Sequence, residues 1–410
     1  GNESPQSAAL PLTVDTAAPA APTGVTVTDD VAPVTGAIAA NGASNDNKPT
    51  FAGAAGSAEA GSTITVMDGA TVLGTAVVAA DGSWSVTPTT ALADGAHSIT
   101  TRATDAAGNV SPVSPALALT VDTAAPAAPA APTSTAPSTN DNTPGIHIGV
   151  GLTDTPSLYV DGVKVPATYD PVTGTLTPTT PLGDGVHQFT TTLTDAAGNE
   201  SPQSAALPLT VDTAAPAAPA APTSTAPSTN DNTPGIHIGV GLTDTPSLYV
   251  DGVKVPATYD PVTGMLTPTT PLADGAHSIT TTLTDAAGNE SPQSAALPLT
   301  VDTAAPAAPT GVTVTDDVAP VTGAIAANGA SNDNKPTFAG AAGSAEAGST
   351  ITVMDGATVL GTAVVAADGS WSVTPTTALA DGAHSITTRA TDAAGNVSPV
   401  SPALALTVDT

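Results

Sequence analysis

The tripeptide Val-Asp-Thr sets its Asp at 15, 122, 212, 302 and 409, so one phrase recurs at intervals of 107, 90, 90 and 107 residues. Residues 17–123 return unchanged at 304–410. Residues 124–213 and 214–303 differ at five positions only: Thr175/Met265, Gly183/Ala273, Val186/Ala276, Gln188/Ser278 and Phe189/Ile279. Such a chain folds as four units, each closing its own core: long (17–123), short (124–213), short (214–303) and long (304–410). Residues 1–16 repeat the closing stretch of a unit and read as the FG loop and strand G of a preceding one. The opening Gly1-Asn2-Glu3-Ser4 matches Gly198-Asn199-Glu200-Ser201, so a segment of something longer is expected. One active site needs no copies, whereas a function that scales with length or copy number does.

Composition narrows the class. Aromatics are 2%, so each core must be built from Val, Ile, Leu and Ala, with one Trp per long unit (Trp84, Trp371). Gly and Pro together number 78 of 410, below the share at which a structureless chain becomes the default. The formal net charge is −30, with six Lys and Arg in all. That excludes a nucleic-acid partner, since so few cations cannot neutralise a run of phosphates, and it disfavours anionic membrane surfaces. It favours hard cations, because 31 of the 36 acids are Asp, whose short side chain fits tight loop sites. There is no Cys, so no disulfide clamps these small domains. No run of about 18 apolar residues exists, so no membrane insertion is expected in this segment.

The pattern within a unit has period two. Ile64 and Val66 share a face, as do Trp84 and Val86, then Ile99, Thr101 and Ala103, then Leu117, Leu119 and Val121. Asp68-Gly69, Asp81-Gly82 and Asp94-Gly95 punctuate these runs as turns that need positive φ. Seven short strands at this spacing describe an all-β immunoglobulin-like sandwich. The first long unit places strand A near 23–28, B at 49–55, C at 62–67, D at 71–79, E at 83–87, F at 96–104 and G at 115–121. The short units lose 12 residues before B and five between B and F, while the last 26 residues stay in register. Ala/Pro-rich joints such as Asp122-Thr-Ala-Ala-Pro-Ala-Ala-Pro are short and stiff. Four sandwiches of ~40 Å make an extended rod of ~160 Å.

The segments DDVAPVTG, NDNKPTFAG, DGSWSVTPTTALADGAHSITTRATDAAGN and VDTAAPAAP resemble the bacterial Ig-like repeats of giant surface adhesins, the biofilm-associated and RTX-type proteins exported by type I secretion. The likeness spans residues 17–410 and is looser in the front half of the short units, which lack DDVAPVTG and the Trp. It implies strings of sandwiches that bind calcium and hold a distal adhesive domain away from the cell.

In an immunoglobulin sandwich the BC, DE and FG loops gather at the end where the chain arrives, and the AB and EF loops at the end where it leaves. The joint between units one and two should therefore collect Asp122, Asp154, Asp195 and the backbone carbonyl of Asn199. The counterparts are Asp15, Glu59, Asp105 and Asn109; Asp212, Asp244, Asp285 and Asn289; and Asp302, Glu346, Asp392 and Asn396. Carboxylates crowded in this way repel unless a cation sits among them, and Ca2+ accepts six to eight oxygens in flexible geometry where Mg2+ demands an octahedron. Further candidates are Asp46, Asp141, Asp231 and Asp333 in the Asn-Asp-Asn loops, and Asp29-Asp30 with Asp316-Asp317 in the long units. Against these stand bland readings. The ten Asp-Gly aspartates read as turn formers, and Asn-Asp-Asn before Pro can be an Asx-turn without a metal.

His97, His187, His277 and His384 open strand F, where many sandwiches place a corner-forming Tyr, and read as structural hydrogen-bond donors. His147 and His237 have no second His or Cys nearby, which speaks against zinc. No nucleophile elbow, zinc-protease helix or phosphate loop is present, so no enzymatic activity is expected. The Asn-Glu-Ser and Asn-Val-Ser tripeptides match a glycosylation acceptor only weakly. The expectation is a monomeric, extracellular spacer on a bacterial surface, stiffened by calcium and partnered by its own neighbouring repeats; the ligand of the distal adhesive domain stays open. The rivals are a glycan- or peptide-binding module, a spacer in a secreted hydrolase and a disordered elastic linker. A surface-exposed Trp84 would favour the first.

Overall fold

The computed structural model describes Gly1 and residues 3–410; Asn2 of the opening Gly-Asn-Glu-Ser lies outside the described residues. Every regular element among the described residues is a β-strand, and none is a helix long and apolar enough to cross a membrane. Contacts divide the chain into two compact units, Gly1–Thr213 and Ala214–Thr410. The first holds a long and then a short sandwich, the second a short and then a long one.

The first long repeat contains β1 (Thr26–Asp29), β2 (Gly36–Ala37), β3 (Ala43–Ser44), β4 (Thr50–Gly53), β5 (Thr63–Asp68), β6 (Thr71–Val77), β7 (Trp84–Val86), β8 (Gly95–Thr104) and β9 (Leu117–Val121). One sheet runs β3-β9-β8-β5-β6 and the other β2-β1-β4-β7. The predicted strands A to G correspond to β1, β4, β5, β6, β7, β8 and β9. Alternation decides the faces, as period two requires: Ile64, Val66, Ile99, Ala103, Leu119 and Val121 point inward from one sheet. They meet Val27, Phe51, Trp84 and Val86 from the other. Trp84 is buried and Gly53 packs against its indole with no room for a Cβ, so this ring is no glycan platform. The sequence pattern missed β2 and β3, which are two residues each and too short to show a period. They matter for the site, because β3 pairs in parallel with β9 (Ala43↔Thr120, Ser44↔Val121) and so fastens the Asn-Asp-Asn turn beside Val-Asp-Thr.

The first short repeat contains β10 (Ser138–Thr139), β11 (Ile146–His147), β12 (Thr155–Val160), β13 (Val163–Val165), β14 (Ala167–Asp170), β15 (Thr175–Pro178), β16 (Gly185–Thr194) and β17 (Leu207–Val211). Its sheets run β10-β17-β16-β12-β13 and β11-β15-β14. Strand A shrinks to the single bridge Thr133↔His147, which is where the residues missing before strand B tell. Strand D changes sheets. Val163–Val165 pairs with β12, Pro166 withholds a donor, and Ala167–Asp170 pairs with β15. Ile146, Leu158, Val160, Leu176, Phe189 and Leu209 fill this smaller core. Both topologies recur in the second unit, with Ile279 standing fully buried where the first short repeat has Phe189. The stretch Leu10–Val14 copies a final strand in sequence but pairs with nothing among the described residues, and Leu10, Leu12 and Val14 are exposed.

Candidate functional site

The leading end of each sandwich is organised by one turn. After β8, Asp105-Ala-Ala-Gly-Asn109 closes with the Asp105 N–H on the Asn109 carbonyl (3.1 Å) and the Gly108 N–H on the Asp105 carbonyl (3.2 Å). The Asp105 carboxylate accepts the Ala107 N–H (2.9 Å), the Asn109 N–H (2.8 Å) and the Asn109 side-chain amide (2.8 Å). Gly108, at φ +92°, supplies a backbone that a side chain would strain. The Asn109 amide above all, with the backbone donors, holds the Asp105 carboxyl below the ordinary range; Asn289 does the same for Asp285. Asp392 is drawn down by Asn396 even though burial pushes it up.

The same asparagine reaches back across the joint. Asn109 Nδ2 donates to the carbonyl of Asp15 (3.1 Å), Asn199 Nδ2 to that of Asp122 (2.8 Å), and Asn396 Nδ2 to that of Asp302 (2.7 Å). Within unit one and within unit two, the Val-Asp-Thr aspartate and the turn of the next repeat therefore meet, but through an amide and a carbonyl. The ligand expected at Asn199 was its backbone carbonyl. That carbonyl accepts the Asp195 N–H (3.1 Å), and the side-chain amide makes the link to Asp122.

Around this bridge the acids are spaced more loosely than crowding implied. Asp15, Glu59 and Asp105 line one open cleft of about 320 Å³. The carboxylates of Asp15, Asp122 and Asp302 accept the N–H two residues on (2.9, 3.0 and 3.0 Å), capping their own turns. Asp154 and Asp244 accept the hydroxyls of Thr153 (3.3 Å) and Thr243 (3.4 Å) within their own loops. The Glu346 carbonyl holds the Ser349 N–H (3.2 Å), and the Asp212 N–H donates to the Thr139 carbonyl (2.9 Å). Among the described residues no group of three or more His, Asp or Glu stands close enough to hold a metal ion. The donor set remains hard oxygen throughout and suits Ca2+ in kind. The loop residue Asn45, which faces the following repeat, adds a buried side-chain oxygen without a hydrogen-bond partner.

At the trailing end, long and short repeats differ. Asp29 and Asp46 are both buried and are joined by Ser44. Its hydroxyl donates to Asp29 Oδ2 (2.6 Å) and accepts the Asp46 N–H (3.1 Å). Asp29 also accepts the Val31 N–H (2.8 Å); Asp46 accepts those of Lys48 (2.8 Å) and Asp30 (3.4 Å). Asp316, Asp317, Asp333 and Ser331 repeat this network in the last repeat. In the short repeats Asp141 and Asp231 are exposed Asx-turn residues, accepting the N–H and hydroxyl of Thr143 and Thr233.

Several Asp-Gly aspartates do more than turn the chain. Asp94 accepts the N–H (3.0 Å) and hydroxyl (2.9 Å) of Thr123, the Thr of Val-Asp-Thr; Asp184, Asp274 and Asp381 do the same for Thr213, Thr303 and Thr410. Asp68 accepts the Ser98 N–H (3.1 Å) and His97 Nδ1 (2.7 Å), while His97 Nε2 faces the Ala93 carbonyl (2.7 Å). Asp161, Asp251 and Asp355 clamp His187, His277 and His384 in the same way. A ring with an acceptor at each nitrogen is satisfied only as the imidazolium. Burial alone pushes His97 and His384 down, yet the carboxylate and carbonyl hold both above the usual value. His187 and His277 are raised mainly by the carbonyls of Gly183 and Ala273, then by their aspartates.

A family described as the bacterial Ig-like domain matches residues 22–123, 131–213, 221–303 and 309–410. Among solved structures, the chain is similar to a tetra-tandem repeat from the extending region of a large adhesion protein. That match has 21% identity and a TM-score of 0.26, covering 96% of this chain and 100% of that one. It is also similar to a 1.5-MDa bacterial ice-binding adhesin (19%, 0.20, covering 63% and 88%) and to fibronectin(III)-like modules of Clostridium thermocellum CbhA (16%, 0.31, covering 45% and 94%). These likenesses are too distant to carry any argument. No curated protein matches significantly.

Proposed function

Because the chain belongs to the bacterial Ig-like domain family, four copies in tandem, we propose that it is the extender of a large bacterial cell-surface adhesin. Its work is geometric: it carries a distal adhesive domain clear of the cell for attachment and biofilm formation, and repeat number sets the reach. The export route that goes with this reading is type I secretion. Calcium bound at the joints sets the stiffness. The observation that carries the reading is the recurrent bridge from the turn asparagine to the Val-Asp-Thr carbonyl of the preceding segment. Residues that recur to hold one repeat to the next serve a chain whose inter-repeat angle matters. Asp15, Glu59 and Asp105 would hold the ion at the first joint, with Asp122, Asp154 and Asp195 at the second and Asp302, Glu346 and Asp392 at the last. When bound, Ca2+ would neutralise these acids.

Calorimetry of the full chain tests this. An ion held only by the folded state adds about 2.7 kcal/mol at one hundred times Kd. Melting should rise several degrees with millimolar calcium and far less with magnesium. Equal shifts from both ions, or from matched sodium chloride, reduce the effect to charge screening and refute the ion site.

A further inference from the structure

The same five-residue turn meets different neighbours along the chain, and the burial of its third residue follows the neighbour. Ala107, behind the segment 1–16, is exposed. Ala394, behind a short repeat, is half-buried. Ala197, behind a long repeat, is 3% exposed. The long repeat differs from the short one at its trailing end by Val31-Ala32-Pro33-Val34, and there the contact falls. A Cβ built on Gly198 would come within 3.0 Å of the Val34 Cβ and 3.7 Å of Asn45 Nδ2. The identical repeat four gives the reference: Val34 is 53% exposed beside a following repeat, and Val321 is 72% exposed without one.

The joint behind the second short repeat is built otherwise. Gly395 meets only the Asn230 side chain, at 3.6 Å from its Cβ position. Beyond the Asn396 bridge to Asp302 that it shares in kind with the other joints, repeat four is held there by the Ser228 hydroxyl on the Ala393 carbonyl (2.8 Å) and the Asn230 N–H on the Ala394 carbonyl (3.0 Å). Such exposed hydrogen bonds exchange readily with water, and each nets little. Apolar contact between Val34 and the Ala197-Gly198 edge needs no counter-ion and is not screened.

From this we propose that the Val31–Val34 loop is a docking surface for the Asp-Ala-Ala-Gly-Asn turn of the following Ig-like repeat. The joint behind the first long repeat then stays set without calcium, whereas the joint behind the second short repeat depends on the ion. Copy order thereby fixes where the chain can bend. This deepens the extender reading and rests on it only for the role of calcium.

The chain has no Cys, so paired labels are unambiguous. Cysteines replacing the exposed Thr75 and Thr168 report the joint behind the first long repeat, and those replacing Thr258 and Thr362 report the joint behind the second short one. Spin-label distance distributions are measured on the full chain in chelator and then in calcium. The expected result in chelator is a narrow Thr75/Thr168 distribution and a broad Thr258/Thr362 one. Val34→Asp should abolish the narrow peak. Val321→Asp, the identical change where no repeat is docked, should leave both pairs unaltered and shows whether the substitution harms the fold itself. Ala197→Asp attacks the same contact from the other side, with Ala107→Asp as its exposed control. A Thr75/Thr168 distribution as broad in chelator as the other pair, or one untouched by both Val34→Asp and Ala197→Asp, overturns the proposal. Calcium that fails to narrow the Thr258/Thr362 pair refutes the ion reading and leaves the docking result standing.

Discussion

Asp195→Ala removes the acceptor of three donors at once: the N–H groups of Ala197 and Asn199 and the Asn199 side-chain amide, all at 2.9 Å. Their costs differ because their access to water differs. Ala197 is 3% exposed, so its N–H has nowhere to turn. A buried donor left without a partner costs about 1–3 kcal/mol, while the two Asn199 donors rehydrate and cost about 0.5 kcal/mol each. The sum is about 2–4 kcal/mol, to be set against a total of about 5–15 kcal/mol for a small domain. At about 4–8 °C per kcal/mol for a domain of this size, the melting transition of the first short repeat should fall by at least ~8 °C. Asp105→Ala breaks the same turn where Ala107 is exposed and water can replace the lost acceptor, so its shift should be much smaller. Calorimetry in chelator, with one transition followed per variant, reads both shifts without any ion. Equal shifts from the two substitutions would refute the claim that burial by the preceding repeat sets the cost. No shift in either would refute the turn geometry.

The histidine clamps link stability to pH. Each folded-state His stands above its unfolded value of about 6.5, so its contribution is complete below that pH and is lost as pH rises through the folded value. Asp161 is drawn down by the Gln188 N–H and His187, and Asp251 by His277 and the Ser278 N–H, so their share is lost as pH falls through the folded carboxyl values. Melting temperature should therefore be highest between about pH 4 and 6.5, and His187→Gln should flatten the alkaline slope of its own repeat; an unchanged slope contradicts the clamp. In the core, Phe189→Ala should cost about 3–5 kcal/mol and come close to unfolding the first short repeat. Phe189→Ile, which copies the fully buried Ile279 of its neighbour, should keep it folded; chemical denaturation compares the two.

Much of the sandwich was legible because alternation is local. Ile64, Val66, Ile99 and Leu119 announce their faces from sequence, and the Asp-Gly pairs announce the turns between them. What was hidden is what the fold brings together from a distance. Asp94 reads as a turn residue until topology sets it against Thr123, 29 residues on. The constant interval from each such Asp to its Val-Asp-Thr Thr was the one available signal. Asp29 and Asp46 read as loop acids open to a cation, yet Ser44 and backbone donors occupy them inside the sandwich. At the joints, topology brings the Asp-Ala-Ala-Gly-Asn turn to the preceding Val-Asp-Thr, but the amide of Asn199 that makes the link was not read from the sequence. Val34 gave no sign, since an irregular Pro-containing loop has no period to betray it.

Small-angle scattering of the full chain, with calcium and then with chelator, tests the extender reading most directly. With calcium the maximum dimension should approach the ~160 Å of four sandwiches end to end. Chelator should lower the radius of gyration as the joint behind the second short repeat loosens, calcium should restore it, and an equal concentration of magnesium should not. A radius of gyration and maximum dimension unchanged by chelator would contradict calcium-set stiffness.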